Sequence, residues 1–424
     1  MKITDIKAIE IIDNRGNPTI RAYVVADNTY TGIADVPSGS STGSFEAVEL
    51  RDGEDRYNGK GVKRAIDNIL NIIRPALIGR DVTNQRQIDT QLNELDGTKN
   101  KSKLGANAIL AVSLAVAKSA VQICRLPLYR YLNAGAHVLP VPQACLINGG
   151  VHAGNDLDIQ EYCVMPVGAS NFAHAVQMLC EIFKELGAIL LTDLGKVATN
   201  SSEDGGFAPP LENSFQAMEY LTRAVTNTGY KNDVVFGLDY AATGFYSSKT
   251  KSYAFEGKTL STSEMIETIN ELVQAHPGIV SIEDPLDEKD YPGWIEISKQ
   301  MGEKMIIGDD IFATNIGRIE MGIEQGIANA ILCKVNQIGT VTEACDAANM
   351  AKANRYPVVM SVRSGETEDN VLSDISVALN AGLFKTGGIR GSDRGTNYNR
   401  FMEIEHELGS LAHYAGSDYR RLGC

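Results

Sequence analysis

The sequence predicts an α/β fold, namely an irregular eight-stranded β/α barrel of the TIM type preceded by an N-terminal α+β domain. The first ~35 residues alternate apolar and polar positions, which is typical of an antiparallel sheet with one buried face. A helical region follows them. After about residue 134, short apolar runs recur at intervals of about 23 to 44 residues, a spacing that indicates repeated βα units around a parallel sheet.

The N-terminal domain is expected to span residues 1–133. Its first segments, IKAIEIID, TIRAYVVAD and TYTGIADV, predict a three-stranded antiparallel meander with a turn at NRGNP. A helical pattern of apolar residues starts at Val62, and Pro75 is expected to end that helix because proline lacks a backbone N–H. Residues 103–122 are apolar on most sides, which predicts a helix buried in the core.

The barrel domain is expected to span residues 134–424. Its first two strand-like segments, VPQACLI and DIQEYCVMP, follow each other too closely for a helix to separate them, so the first connection should be irregular. Six further apolar runs end at Asp239, Glu283, Asp309, Lys334, Val362 and Lys385. The carboxyl ends of barrel strands meet at one face, so the charged side chains there should converge. An open doubly wound sheet is the alternative fold, but it would not bring six strand ends into one pocket.

Composition narrows the possible functions. The net charge of −14 and the pI of about 5.0 argue against a nucleic-acid partner or an anionic membrane. The seven cysteines form no CxxC pair, so reduced thiols in a cytoplasmic protein are expected rather than a disulfide framework. No charge-free apolar stretch is long enough to predict a membrane span, and the first residues do not resemble a signal peptide.

Three carboxylates, those of Asp239, Glu283 and Asp309, close successive predicted strands. Carboxylates gathered in one pocket repel one another unless a cation holds them, and hard oxygen ligands without His or Cys suit Mg²⁺. The alternative is that each acid only caps the helix that follows it. Three such acids at successive strand ends, followed by two lysines, favour the metal site.

Lys334 and Lys385 end two apolar runs, and Arg363 with Ser364 follows the run between them. Burying a lysine is costly, so two lysines around an Arg-Ser pair indicate a site for a multiply charged anion. A lysine near a dication loses part of its preference for the proton and can act as a general base at a carbon next to a carboxylate. The alternative is that both lysines form structural ion pairs with the acids.

Three further segments are expected to form loops. VPSGSSTGSFEA carries hydroxyl groups that suit a metal or a phosphate, although most such Ser/Gly stretches are only linkers. NGGVHAGNDLDIQE contains His152 in a glycine-rich setting. NSSEDGGFAPP places Glu203 and Asp204 on a tight turn, from which a carboxyl group can reach a barrel mouth.

Together these segments resemble the enolase family, the phosphopyruvate hydratases of glycolysis, from DNRGNPT to YNRFMEIEHELG. The motifs that carry the resemblance are VPSGSSTG, ELRDG, LGANAIL, INGGVHA, SIEDP, KVNQIGT and RSGETED. The resemblance implies an α+β domain joined to an irregular β/α barrel and a homodimer or larger homo-oligomer. It also implies the interconversion of 2-phosphoglycerate and phosphoenolpyruvate with two Mg²⁺ ions.

The resemblance also implies roles for particular residues. Asp239, Glu283 and Asp309 match the ligands of the first Mg²⁺, and Ser41 matches the loop serine that reaches the second ion. Lys334 matches the base that removes the proton next to the carboxylate. The remaining matches lie around the substrate. Lys385 matches the lysine that binds the substrate carboxylate, and Arg363 with Ser364 matches the phosphate-binding pair. His152 matches the histidine of the loop that closes over the substrate. Gln160 and Glu161 match the substrate-proximal pair in their strand.

The chain departs from the family pattern on the side of the leaving hydroxyl. The family's DEGGF reads EDGGF, so Asp204 stands where a glutamate assists departure of the hydroxyl, and Glu203 precedes it. Val362 replaces the histidine of the family's SHRSGE. Displacing a catalytic group by about 1 Å can cost about 100-fold in rate, so these changes bear on the elimination step.

Two further departures lie nearby. Gly391 takes the place of an arginine, with Arg390 moved by one position, and Gly244 replaces a glutamate. The expectation is an ordinary hydratase with adjusted contacts. One alternative is a specialised homologue, similar to carboxyphosphonoenolpyruvate synthase, that expels a different group from a related phospho- or phosphono-acid. The other is a catalytically inactive binding protein on the same scaffold.

Overall fold

The computed structural model describes residues 1–40, 43–53 and 55–422. Three antiparallel strands open the chain: β1 (Ile3–Ile12), β2 (Pro18–Ala26) and β3 (Tyr30–Asp35). β1 pairs with β2 and β2 pairs with β3, which confirms the predicted meander.

The meander packs against the helix Ala106–Cys124, which is the predicted buried helix. A Cβ added at Gly32 would collide with the carbonyl oxygen of Ala115, so the small residue allows this close approach. The helix is apolar and long enough to cross a membrane, with a mean hydropathy of 1.6, but 72% of it is buried inside the protein. Its apolar surface is therefore explained by the core of this domain.

The helix that was expected to stop at Pro75 continues past it. The regular helix Lys63–Asn68 widens into a π-helical turn, Ile69–Ile73, and resumes as Arg74–Leu77 with Pro75 in its first turn. Proline lacks an N–H and crowds the preceding turn, and a widened turn accommodates both defects. The prediction of a break was therefore wrong. The other helical segments of this region are Arg56–Gly59, Gln85–Asp96 and Leu128–Leu132.

Eight strands form a closed barrel. They are β4 (Val141–Asn148), β5 (Glu161–Met165), β6 (Val235–Asp239), β7 (Ile279–Glu283), β8 (Met305–Gly308), β9 (Ala330–Cys333), β10 (Val358–Ser361) and β11 (Leu383–Gly387). Neighbours follow chain order, and β11 closes the ring against β4. The predicted barrel is confirmed, and the open doubly wound sheet is excluded.

The irregular first connection is also present. β5 pairs antiparallel with both β4 and β6, whereas the remaining barrel pairs are parallel. Because β5 runs the opposite way, its first residue, Glu161, lies beside Asn148 and Asp239, which end their strands. The start of β5 therefore joins the face formed by the ends of the other strands.

Helices cover the outside of the barrel. They are Phe172–Leu194, Ser214–Asn227, Thr262–Ala275, Tyr291–Gln300, Ile316–Gln325, Val335–Ile338, Val341–Ala353, Val371–Ala378, Ser392–Leu408 and Tyr419–Leu422. Short 3-10 turns are Gly150–His152, Lys196–Thr199, Ala242–Phe245, Gly409–Leu411 and Gly416–Asp418. Small strands lie outside the barrel at Val138–Leu139, Tyr246–Ser247, Ser252–Phe255, Lys258–Leu260 and His413–Tyr414.

Candidate active site

A pocket opens at the carboxyl ends of the barrel strands, where the sequence predicted convergence. Its lining residues are Gly39, Ser40, His152, Gln160, Glu161, Asp204, Asp239, Ala241, Asp284, Asp309, Asp310, Lys334, Ser361, Val362, Arg363, Ser364, Lys385 and Gly387. The predicted site residues within the described part of the chain all line it except Glu283, which binds Lys385. Ser41 lies outside the described residues.

Lys385 stands at the centre of a carboxylate cluster. Its Nζ lies 2.7 Å from Asp239 Oδ2, 2.8 Å from Glu283 Oε1 and 3.2 Å from Glu161 Oε1. These side chains come from β11, β6, β7 and β5, which the closed barrel brings together. Burial favours the neutral lysine, but the three carboxylates outweigh it and hold the pKa of Lys385 well above its usual value. Lys385 is therefore a permanent positive charge in the pocket.

Three carboxyl groups share the single ammonium group of Lys385. Glu283 is fully buried, and its Oε2 has no hydrogen-bond partner among the described residues. Burial and the neighbouring Asp239 carboxylate raise the pKa of Glu283 well above the usual range. Gln160 Nε2 donates to Asp239 Oδ2 at 3.1 Å. A buried carboxylate oxygen without a partner is costly, so this set of oxygens suits a hard divalent cation.

Lys334 forms a second ion pair on the other side of the pocket. Its Nζ contacts Asp309 Oδ2, and Gln337 Nε2 donates to Asp309 Oδ1 at 2.7 Å. Burial opposes the charge of Lys334, yet Asp309 outweighs burial and raises the pKa of the lysine above its usual value. The contact with Asp309 therefore favours the protonated form of Lys334.

Asp309 belongs to an acidic group that the sequence analysis missed in part. One oxygen from each of Asp284, Asp309 and Asp310 lies within 4.8 Å of the others. Asp284 accepts the backbone N–H groups of Asp309 and Asp310 at 2.9 and 3.0 Å. Burial and Asp309 raise the pKa of Asp310 to about 8. The motifs IEDP and GDD could have predicted this acidic group, because the second acid of each pair, Asp284 or Asp310, also follows a strand.

The predicted metal ligands therefore divide into two groups in this structure. Asp239 and Glu283 meet at Lys385, whereas Asp309 is held by Lys334 together with Asp284 and Asp310 nearby. Both groups line or adjoin the same pocket.

The predicted anion-binding pair is buried in a basic and polar setting. Arg363 Nη1 donates to Glu46 Oε2 and to Asn336 Oδ1, each at 3.0 Å. Arg394, which is fully buried, donates from Nη1 to the carbonyl of Arg363 at 2.6 Å and from Nη2 to that of Ser364 at 2.9 Å. Glu46 and Arg394 therefore orient Arg363 and Ser364. Neither was predicted from the sequence, because both are distant from this pair along the chain.

The loop that contains Ser40 is fastened to this pair. The Ser40 backbone N–H donates to Ser364 Oγ at 2.7 Å, and Arg15 Nη1 donates to the same oxygen at 3.2 Å. Ser38 and Gly365 exchange two backbone hydrogen bonds, at 2.8 and 2.9 Å. The N-terminal region therefore supplies one wall of the pocket, directly before the undescribed Ser41.

The structure separates the two acids of the EDGG turn. Asp204 is buried, with Oδ2 lying 2.6 Å from His152 Nδ1 and accepting from Asn148 Nδ2 at 3.0 Å. Glu203 lies at the rim with its side chain 43% exposed, and its Oε2 accepts from Ser40 Oγ at 2.6 Å. Gly205 shapes the turn with φ of +88°, and a Cβ there would meet the carbonyl of Arg390 at 2.7 Å.

His152 and Asp204 form a charged pair. Burial disfavours the imidazolium, but the Asp204 carboxylate outweighs it and raises the pKa of His152 above the ordinary value of 6.5. Burial likewise disfavours the carboxylate, but His152 and Arg394 lower the pKa of Asp204 well below its usual range. The arrangement therefore keeps the proton on His152 and the negative charge on Asp204.

The other departures from the family pattern have different surroundings. Val362 lines the pocket, so an apolar side chain forms part of the pocket surface. Arg390 donates to the carbonyl of Gly206 at 3.0 Å and stacks over Phe207 at 4.9 Å. Gly244 lines a neighbouring groove of about 870 Å³, and nothing lies within 4 Å of a Cβ built on it. Val362 is thus the change that alters the pocket surface itself.

Comparisons with known proteins cover almost the whole chain. The family model for the enolase N-terminal domain matches residues 3–132, and that for the enolase C-terminal TIM barrel domain matches residues 136–422. The enolase of Methanocaldococcus jannaschii is 51% identical, that of Thermococcus kodakarensis 50% and that of Pyrococcus furiosus 49%. Each alignment spans 99% of this chain and 98% of the relative.

Proposed function

This chain belongs to the enolase family, and we propose that it dehydrates 2-phosphoglycerate to phosphoenolpyruvate as a Mg²⁺-dependent carbon–oxygen lyase. The main observation behind this proposal is that Lys334 and Lys385 contact carboxylates at the ends of the barrel strands. Arg363 and Ser364 line the same pocket. The chain is about 50% identical to enolases along almost its full length. This similarity favours the ordinary hydratase over a specialised or inactive homologue.

A divalent cation suits the donor set, and we assign it as Mg²⁺ because the available ligands are hard carboxylate oxygens. Asp239, Glu283 and Asp309 would hold it, with the buried, unpartnered Oε2 of Glu283 as one ligand atom. The bound ion would supply positive charge that stabilises negative charge on the substrate carboxylate. Ser41 remains the expected ligand from the Ser/Gly loop.

The fixed charges orient a substrate that carries a phosphate and a carboxylate. Arg363 and Ser364 form the phosphate side, because a guanidinium and a hydroxyl can both donate to phosphate oxygens. Lys385 binds the carboxylate, with Gln160 and Glu161 beside it. Two anchors at opposite ends hold the carbon chain between them, and such positioning lowers the entropic part of the barrier.

Lys334 removes the proton from the carbon next to the carboxylate. Asp309 favours the protonated lysine, so a cation held by Asp309 would lower the pKa of Lys334 and leave more of its Nζ neutral and able to accept a proton. The electron pair released by proton removal first enters the carboxylate, where Lys385 opposes the added charge. It then forms the carbon–carbon double bond as the hydroxyl on the next carbon leaves.

Departure of the hydroxyl requires a proton, and His152 is the group that holds one. Its imidazolium is stabilised by Asp204, which lies 2.6 Å away and is itself held by Asn148 and Arg394. The proton moves from His152 to the leaving oxygen, which departs as water. The shorter carboxyl of Asp204 therefore acts by orienting and charging His152 in this chain.

The experiment that tests this function follows 2-phosphoglycerate by NMR in D₂O with Mg²⁺. Exchange of the α-proton together with phosphoenolpyruvate formation is the expected result. Exchange without product would show that proton removal works while the elimination half serves another leaving group. Absence of both would overturn the assignment of 2-phosphoglycerate as the substrate.

The resemblance also supports a homodimer or larger homo-oligomer that works in the cytoplasm, and these remain part of the proposal. The described cysteines are free thiols, in keeping with a reducing compartment. Sedimentation of the purified chain at micromolar concentration tests the assembly, and a monomer would contradict it.

A further inference from the structure

Two cysteines on the inner side of the barrel have no part in the proposed reaction. Cys145 on β4 and Cys163 on β5 are directly opposed in the antiparallel pair, and both are fully buried. Side chains of opposed residues in such a pair lie on the same face of the sheet. Glu161 precedes Cys163 by two positions and therefore shares this face.

The three side chains converge closely. One oxygen of Glu161 and the two Sγ atoms all lie within 4.8 Å of one another. Cys163 Sγ is 3.6 Å from Glu161 Oε2, and a sulfur and an oxygen bound to one tetrahedral zinc ion lie about 3.6 Å apart. Glu161 Oε1 lies 3.2 Å from Lys385 Nζ, so the other oxygen of this carboxylate, Oε2, faces the thiols.

We propose that Cys145, Cys163 and Glu161 form a binding site for a thiophilic divalent cation, Zn²⁺, separate from the oxygen-ligand site for Mg²⁺. Two thiolates and a carboxylate select a soft or borderline ion, whereas Mg²⁺ prefers oxygen ligands. The formal charge of the loaded site is −1, which adjacent Lys385 offsets.

A fourth polar group lies at the same level of the barrel. The side chain of Gln143 is fully buried, and neither its Oε1 nor its Nε2 has a hydrogen-bond partner among the described residues. A Cβ built on Gly237, which is opposed to Cys163, would lie 3.1 Å from Gln143 Nε2. Gln143 precedes Cys145 by two positions on β4 and therefore shares its face, so this unpartnered amide is a candidate for the fourth ligand.

Binding exchanges existing bonds for metal–ligand bonds. Cys145 Sγ now donates to the carbonyl of Ile147 at 3.2 Å, and Cys163 Sγ donates to Glu161. Burial raises the pKa of both thiols, so they are protonated, and one Zn²⁺ displaces two protons. The ion reaches the site from the active pocket, because Glu161 lines that pocket.

Zn²⁺ at this site inhibits dehydration, a consequence that rests on the proposed function of the pocket. The ion holds Glu161 through Oε2, while its Oε1 contacts Lys385, and it adds positive charge beside that lysine. Bound phosphoenolpyruvate with Mg²⁺ should slow the loading of Zn²⁺, since it occupies the route to Glu161.

The test titrates Cd²⁺, a spectroscopic substitute for Zn²⁺, into the reduced full-length protein with Mg²⁺ in large excess. We expect near-ultraviolet cadmium–thiolate absorption to saturate at one ion per chain, Zn²⁺ to abolish it, and two protons to be released per ion. Cys145→Ala and Cys163→Ala should each weaken binding by about 100-fold or more. Cys180→Ser, which changes a partly exposed thiol on the helix Phe172–Leu194, is the matched control and should bind as the parent does.

Absence of saturable thiolate absorption in the parent, or its retention in both alanine variants, overturns the proposal. If the alanine variants do not fold, Glu161→Gln keeps both thiols and should weaken binding, while proton release in the parent remains decisive. The binding measurements use no substrate, so they stand even if 2-phosphoglycerate is not the substrate. Inhibition is measured separately as the ratio of rates with and without Zn²⁺, and Cys145→Ala should bring that ratio close to one.

Discussion

The two walls of the active pocket are built differently. The wall of lysines and carboxylates stands on the strand ends of the barrel, where Lys385 meets Asp239 and Glu283 at 2.7 and 2.8 Å. The wall of His152 and Asp204 stands on two loops, whose contacts include the 2.6 Å His152–Asp204 pair and a hydrogen bond from the Glu203 N–H to the His152 carbonyl at 3.2 Å. Barrel register fixes the first wall, whereas the second can change with its loops.

Glu203 and Asp204, whose order differs from the motif that the family resemblance implies, lie on the loop wall. Val362, by contrast, directly follows β10, and its backbone N–H donates to the carbonyl of Lys385 on the strand-end wall. A strand-end carboxylate cannot move without disturbing its neighbours in the ring. A loop acid can be exchanged if another group keeps the proton in place, and we propose that in this chain His152 does so.

The largest effect is expected from removing the base on the strand-end wall. Lys334→Ala should lower both α-proton exchange and phosphoenolpyruvate formation by about 1,000-fold or more, because general base catalysis is lost from both. NMR exchange and product formation are measured on the same samples. Lys299→Ala, an exposed lysine outside the pocket, is the control. Substantial exchange in Lys334→Ala would assign the base to another residue.

The next largest effect is expected on the loop wall. Asp204→Asn should lower phosphoenolpyruvate formation by about 100-fold while α-proton exchange falls much less, since His152 loses the charge that holds its proton. The ratio of exchange to product formation is the readout. Equal losses in both would show that the two walls do not act on separate steps.

The same pair predicts a pH dependence. Asp204 raises the pKa of His152 above 6.5, so dehydration should fall as pH rises through that raised value and the imidazolium loses its proton. The His152–Asp204 pair stabilises the fold fully at pH values below the pKa of histidine in the unfolded chain. This stabilisation is lost as the pH rises through the raised pKa of His152 in the folded protein.

A pH–rate profile measures this prediction. In Asp204→Asn the alkaline limb attributable to His152 should move to lower pH. Asp156→Asn changes an exposed acid on the His152 loop and should leave the limb in place. A limb that does not respond to Asp204→Asn would remove His152 as the acid.

The smallest effect is expected at the rim. Glu203→Gln weakens the hold on Ser40 but leaves the buried Asp204 unchanged, so KM should rise by no more than a few-fold with kcat nearly constant. Exposed charged contacts contribute about 0–1 kcal/mol, which limits the change in stability to that range. Steady-state kinetics measure the effect, with the exposed Glu303→Gln as the control. A large fall in kcat would mean that Glu203, and not Asp204, serves the reaction.

Local sequence patterns were sufficient to predict the scaffold of the active site. Alternation and spacing predicted the meander and the barrel, and the acids and lysines at strand ends were predicted to meet because barrel strands end at one face. The departures at Asp204 and Val362 were also visible in the motifs. Such features depend on a few neighbouring residues, which is why they can be read without coordinates.

Only the tertiary structure decided which groups touch. It turned Asp204 inward and Glu203 outward, placed Arg394 on the backbone of Arg363, and opposed Cys145 to Cys163. It also paired Lys334 with Asp309, and this contact outweighs burial and raises the pKa of the lysine. Contacts, burial and pKa shifts depend on distances between residues far apart in the chain. Those distances are set by the packing of the whole barrel rather than by any segment of the sequence.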